Sequence, residues 1–366
     1  MRYRELFNRF EPYTWEPSTE QIAAQFGLKP GDILRLDLNT SPTRPTSALK
    51  SLAKRLPEIE VNLYPDTSYT SLREAIAEYT GHEFEGIIPT NGADEAIDIV
   101  SRIFLEKGSI AVASVPTYSY FRIASELQGS FFRGVPRLEG FGDDVEGILS
   151  NLDSDAGVVW LCSPNNPTGN VTPAQVVEKV CSETEACVVV DEAYYEYSGA
   201  TAMPLLSRFD NLVIVRTLSK AFGLAAARIG YILASEETVK LINKARPPNS
   251  LGTINIKLAM HALKNRSYMR KSVETIISER ERVRGELERL EVGKVYPSQA
   301  NFLLIRIRED LRAEEVHEML LREGIVLRNL SQNPLTRNCL RATIGLRGHN
   351  NRLLRSLGRL LRVLRG

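Results

Sequence analysis

The sequence predicts an α/β protein with a mostly parallel central sheet in a large unit, joined to a smaller α+β unit. Two observations carry this reading. Through the middle of the chain, short β-branched apolar runs alternate with amphipathic stretches, as in a parallel sheet with crossover helices. Beyond Ile254 the texture changes to a long Glu-, Arg- and Lys-rich stretch with apolar residues at helical spacing, followed by a shorter mixed segment. At 366 residues the chain is long enough for two cores with a cleft between them. The expected division is an N-terminal arm with part of the small domain over 1–60, a large ligand-binding domain over 61–260, and an interdomain helix with the C-terminal small domain over 261–366.

Taken in order, the first sixty residues are dotted with proline and carry one clear apolar stretch, 33–38, which should pack on the C-terminal segment or on a partner. Strands are predicted at 87–90, 109–114, 157–162, 186–191, 212–216 and 229–234. Between them lie helices at 93–105, after a turn at Asn91-Gly92, and at 173–180, with Thr172 as N-cap. A long helical stretch is predicted beyond Ile254, reaching roughly Leu290. Strands at 302–307, 325–327 and 340–344, a helix at 313–323 and a last helix from about Asn350 complete the chain.

Composition narrows the function classes. Basic and acidic residues number 46 and 45, so no whole-protein field draws the chain to nucleic acid or to an anionic membrane. No run approaches the roughly 20 apolar residues of a membrane-spanning helix. Cys162, Cys181, Cys187 and Cys339 form no CxxC pair, and the start lacks a charged-then-apolar leader, which points to a reducing cytoplasm. His82, His261, His317 and His349 are far apart in sequence, giving a metal no support. The last helix interleaves leucines with Arg352, Arg355, Arg359, Arg362 and Arg365; docking of the leucines on the small domain is favoured over membrane or nucleic-acid binding.

Three segments carry chemistry. In Arg216-Thr217-Leu218-Ser219-Lys220, followed eight residues later by Arg228, two hydroxyls and an arginine can converge on a phosphate dianion while the lysine amine attacks an aldehyde. A lone lysine there would ordinarily be a surface residue, but Ala, Phe, Gly and Leu next to it are poor company for a solvated ammonium. Ser163-Pro164-Asn165-Asn166-Pro167-Thr168-Gly169 also reads simply as a turn. Asp191, in Val190-Asp191-Glu192-Ala193-Tyr194, also reads as a helix cap. All three lie at the carboxyl ends of predicted strands, where open α/β sheets place their ligands.

Together these motifs resemble the fold-type I pyridoxal-5'-phosphate (PLP) enzymes, class I and II aminotransferases. The whole chain is most similar to the histidinol-phosphate aminotransferases among them. The likeness runs from Pro12-Tyr13 and 36–42 through Tyr64-Pro65-Asp66 and 90–97 to Ala300-Asn301-Phe302 and 339–345. It implies that Lys220 holds the cofactor as an imine and shuttles the substrate proton, and that Asp191 pairs with the pyridinium nitrogen, keeping the ring an electron sink. It further implies that Asn166 and Tyr194 hydrogen-bond the phenolic oxygen and that Tyr118 stacks on the ring. Gly92, Ala93 and Asp94 at a helix start, with Thr217, Ser219 and Arg228, would hold the phosphate. Tyr64 would reach the same phosphate from the second subunit of a homodimer with shared sites.

For the substrate, the resemblance implies that Arg341 and Arg328 face a substrate phosphate and that Tyr13 closes the pocket, with Asn166 alongside. On their own, two arginines on adjacent strands read equally as solvated sheet residues. Glutamate with imidazole acetol phosphate is the favoured pair, in a ping-pong cycle. An aromatic or broad-range aminotransferase and a PLP-dependent threonine-phosphate decarboxylase are the alternatives within the fold, and a catalytically silent binding domain is the alternative outside enzymes. The run 246–255 departs from the Pro-Tyr-Asn-Val-Asn pattern of the family, and Ala225-Ala226-Ala227 replaces Ala-Gly-Leu.

Overall fold

Short β-branched runs extend because their side chains pack well on a pleated surface, and thirteen strands form among the residues described. The structure, a computed structural model, describes residues 1–8, 10–13 and 17–365, the side chains of 363–365 apart. In the first half lie β1 (Leu34–Arg35), β2 (Ile87–Thr90), β3 (Ile110–Val115), β4 (Phe131–Pro136), β5 (Ala156–Cys162) and β6 (Cys187–Asp191). They are followed by β7 (Leu212–Thr217), β8 (Gly230–Ala234), β9 (Gly293–Val295), β10 (Phe302–Ile307), β11 (Ile325–Val326), β12 (Arg328–Asn329) and β13 (Cys339–Thr343).

Seven strands make one sheet in the order β2-β8-β7-β6-β5-β3-β4. β8 pairs antiparallel with both its neighbours, and the other pairings are parallel. Alternate residues of the central strands enter two different cores: Val188, Val190, Leu212 and Ile214 on one face, Val189, Val213 and Val215 on the other. Burial on both faces is why these runs are continuously apolar.

The smaller sheet is antiparallel, in the order β12-β13-β10-β9. β1 pairs parallel with β11, Leu34 opposite Ile325, so the apolar stretch of the N-terminal arm does pack on the C-terminal segment. The last helix, Arg347–Arg365, buries Leu353, Leu357, Leu360 and Leu361. Arg352 donates to the carbonyls of Asp32 and Glu323, and Arg359 pairs with the Glu323 carboxylate. Docking therefore accounts for these leucines and for Arg352 and Arg359; the Arg365 side chain lies outside the described residues.

Three expectations are corrected. The helical stretch predicted beyond Ile254 is divided into two helices, Thr253–Lys264 and Ser267–Arg289: the Asn265 side chain donates to the His261 carbonyl, competing with the backbone and ending the first. Thr172 is not an N-cap; Pro173 holds that position and the Thr172 hydroxyl donates instead to Asp143 at 2.7 Å. Strand β4 was not foreseen, because it is a partly exposed edge strand carrying Gly134 and Pro136. Among the described residues no helix is long and apolar enough to cross a membrane, and no group of three or more His, Cys, Asp or Glu is placed to hold a metal ion.

Candidate active site

The chain leaves the carboxyl ends of β2, β3, β5, β6 and β7 on one edge of the large sheet, and the loops there surround a cavity of about 290 Å³. Of the residues singled out in the sequence, Tyr13, Ala93, Asp94, Tyr118, Asn166, Asp191, Tyr194, Thr217, Ser219, Lys220, Arg228, Arg328 and Arg341 all line it. Gly92 sits just behind Ala93 without lining the cavity. Tyr64 is outside it, 86% exposed on the surface.

At one wall, Asp191 ends β6 with only 3% of its surface exposed, and it accepts a hydrogen bond from the Ala193 NH at 2.9 Å. Burial penalises its charge and pushes its pKa up to about 7. Lys220 follows β7 and is partly buried, with Nζ 3.4 Å from the Leu38 carbonyl and 5.7 Å from the Tyr194 ring centroid. Desolvation, reinforced by Arg341, lowers its pKa to about 8, so a far larger share of the amine than for an ordinary lysine is in the nucleophilic neutral form near neutrality.

Another part of the wall collects anion-binding groups. Thr217 Oγ1 accepts from the Ser219 NH at 3.1 Å and lies 2.9 Å from Ser219 Oγ, so the two hydroxyls are neighbours. The helix Gly92–Phe104 begins beside them without a side-chain cap, and Ala93 and Asp94 of its first turn line the cavity. Gly92 is at φ 79°, and a Cβ on Gly230 would run into the Gly92 backbone, so this close approach needs glycine at both positions. Arg228 donates from Nη2 to Asp94 Oδ2 at 2.8 Å, while the Tyr118 hydroxyl donates to Asp94 Oδ1 at 2.9 Å.

The smaller sheet closes the cavity. Arg328 and Arg341 are opposite one another on β12 and β13. Arg341 is 8% exposed; it donates to Asn166 Oδ1 and to the Asp37 carbonyl, and its Nε has no hydrogen-bond partner. It is not a solvated sheet residue. Burial lowers the pKa of both guanidinium groups, Arg341 with the added repulsion of Arg328.

The family likeness covered the Asp37-Leu38-Asn39 turn without giving it a role in the site, and the sequence did not single out the β12–β13 loop, whose Leu330, Asn333 and Thr336 also line the cavity. The available signal for the turn was the string Leu38-Asn39-Thr40-Ser41-Pro42, whose asparagine tolerates left-handed backbone. The loop had none.

The family description "Aminotransferase class I and II" matches residues 31–357. The chain is 36% identical over 332 residues to the histidinol-phosphate aminotransferase of Ruminiclostridium cellulolyticum, covering 88% of this chain and 91% of that one. It is also 36% identical over 366 residues to that of Pyrococcus furiosus, covering 100% and 99%. Among solved structures, histidinol-phosphate aminotransferase from Sinorhizobium meliloti in complex with pyridoxal-5'-phosphate superposes with a TM-score of 0.89, at 26% identity over 99% of this chain and 98% of that one.

Proposed function

This chain belongs to the class I and II aminotransferases, and on that premise we propose that it exchanges an amino group between glutamate and imidazole acetol phosphate, the ketone counterpart of histidinol phosphate. It is a PLP-dependent enzyme of fold type I. The donor set fits that cofactor: a deeply buried carboxyl for a ring nitrogen, an amine of lowered pKa for an aldehyde, and an uncapped helix start with two hydroxyls and an arginine for a phosphate. Bound there, PLP supplies the carbonyl that takes up the amino group and a ring that withdraws electrons from the substrate carbon.

The chain's own residues then divide the work. Asp191 holds a proton on the ring nitrogen, since a buried carboxylate gains a cation as counter-charge. Lys220 would hold the aldehyde carbon through its amine, and the same amine would carry the proton to and from the substrate carbon. Tyr194 and Asn166 hydrogen-bond the ring's phenolic oxygen, and Tyr118 packs against the ring. Thr217, Ser219, Arg228 and the turn Gly92-Ala93-Asp94 hold the phosphate. Arg328 and Arg341 bind the substrate's phosphate, with Tyr13 over the entrance. Tyr64 serves the cavity of a second copy, making a homodimer with shared sites, and the enzyme works in the cytoplasm.

The observation that carries the substrate reading is the pair of cavity-lining arginines on adjacent strands, partly buried Arg328 opposite buried Arg341, with Arg341 Nε left unpartnered for a dianion. A panel of donors and acceptors with carbon dioxide release monitored tests it. Glutamate with imidazole acetol phosphate is expected to give the highest kcat/KM. A preference for non-phosphorylated aromatic acceptors, or release of carbon dioxide from threonine phosphate, would overturn it.

A further inference from the structure

A polar relay runs from the second strand-bearing unit to the cavity through Asn39. This residue is 1% exposed and sits at φ 53°, a left-handed conformation that asparagine tolerates. Its backbone NH donates to Thr343 Oγ1 at 3.0 Å. The threonine hydroxyl, accepting there, has one proton to give, and Asn39 Oδ1 stands 3.1 Å away to receive it. That fixes the orientation of the amide. Asn39 Nδ2 therefore faces the other way and donates to Tyr194 Oη at 2.9 Å. The Asn39 carbonyl accepts from Asn301 Nδ2 at 3.0 Å, which pins the turn.

Tyr194 lines the cavity, and among the described residues no acceptor takes its hydroxyl proton. We propose that Asn39 is a positioning residue that fixes the polarity of Tyr194, filling its oxygen from behind so that the hydroxyl donates into the cavity. The inference rests on the reading of Tyr194 as a donor to the cofactor's phenolic oxygen. Donation to that oxygen draws electron density from the neighbouring lysine-bound nitrogen and lowers its basicity. Asn39 thus helps to set the pH at which that nitrogen loses its proton.

Asn39→Asp tests this with an isostere. Its second oxygen can only accept when ionised, so it captures the Tyr194 proton and turns the hydroxyl away from the cavity. The measurement is the pH midpoint of the visible absorbance change of the holoenzyme, in Asn39→Asp, Tyr194→Phe and the double variant. The two single variants are each expected to move the midpoint upward by about one pH unit, and Asn39→Asp to add nothing in the Tyr194→Phe background. A shift that persists undiminished in that background, or no shift beside a shifted Tyr194→Phe, overturns the role of Asn39 and leaves that of Tyr194. An unmoved Tyr194→Phe overturns the reading of Tyr194 and this inference with it. Should Asn39→Asp not fold, Thr343→Val removes the proton that orients the amide. It is expected to raise the same midpoint by a smaller amount, and an unmoved midpoint there overturns the relay.

Discussion

Glu192 and Arg216 form an almost fully buried ion pair, Oε2 to Nη2 2.7 Å, immediately after Asp191 and immediately before Thr217 in the chain. The carboxylate also accepts from Thr201 Oγ1 at 2.9 Å and from the Ala202 NH at 2.7 Å, and the guanidinium stacks 3.8 Å above the Tyr195 ring. The pair ties together the ends of β6 and β7, which carry the buried carboxyl and the reactive amine. Glu192→Ala leaves a buried guanidinium uncompensated and is expected to cost about 3–5 kcal/mol. Urea denaturation measures it, and the double replacement of both residues by methionine should be milder.

Replacing Lys220 by alanine is expected to leave the fold intact and lower turnover by roughly 10³-fold or more, since proton transfer and covalent attachment are both lost. Borohydride reduction of the holoenzyme should label residue 220 and no other. Turnover kinetics with peptide mapping checks both outcomes.

Asp191 makes the cofactor-free protein sensitive to pH. Its folded pKa of about 7 lies above the unfolded value of 3.8, so between about pH 4 and 7 the native state keeps a proton that the unfolded chain sheds. Stability therefore falls as pH rises through that window. Glu196, pushed up to about 7 by burial, acts in the same sense. Asp191→Asn should remove its share, making the cofactor-free protein more stable at pH 8 than the wild type while abolishing activity. Melting curves at pH 5 and pH 8 measure the difference.

Arg341→Lys keeps a charge but loses the planar fork, while the positions of Asn166 and the Asp37 carbonyl were set for a guanidinium. The kcat/KM for a phosphorylated acceptor is expected to fall by about 10- to 100-fold, roughly 1.4–2.7 kcal/mol of transition-state binding. Steady-state kinetics with phosphorylated and non-phosphorylated acceptors reads it; the second class should lose less.

Tyr64, exposed on the isolated chain, is expected to act in the cavity of a second copy. Mixing inactive Lys220→Ala subunits with Tyr64→Ala subunits should restore activity, because one hybrid site then carries both intact residues. Activity that does not rise on mixing and re-equilibration, in a preparation shown by light scattering to form hybrids, would argue against a shared site.

The strands of the large sheet were legible because both their faces are buried, which leaves continuous apolar runs. Half-exposed β4, interrupted by Gly134 and Pro136, has no such signature. The candidate site was legible where cavity-lining residues sit at the carboxyl end of a strand, as Asp191 and Lys220 do. The contacts of Asn39 were not, although 36–42 belongs to the family likeness, because they are made with Tyr194 and Thr343, 155 and 304 residues away in sequence. Likewise, nothing local to 254–290 distinguished an asparagine that stops a helix from one exposed on its surface.

The reversed direction of β8 has a practical consequence. Arg228 reaches the cavity on the way into β8, whereas Thr217 and Ser219 reach it on the way out of β7, so one hairpin delivers three of the side chains proposed to grip the phosphate. That hairpin is a cassette: exchanging it as a block with a relative's, Lys220 kept, would retune how firmly the coenzyme is retained while leaving Arg328 and Arg341 of the smaller sheet in place.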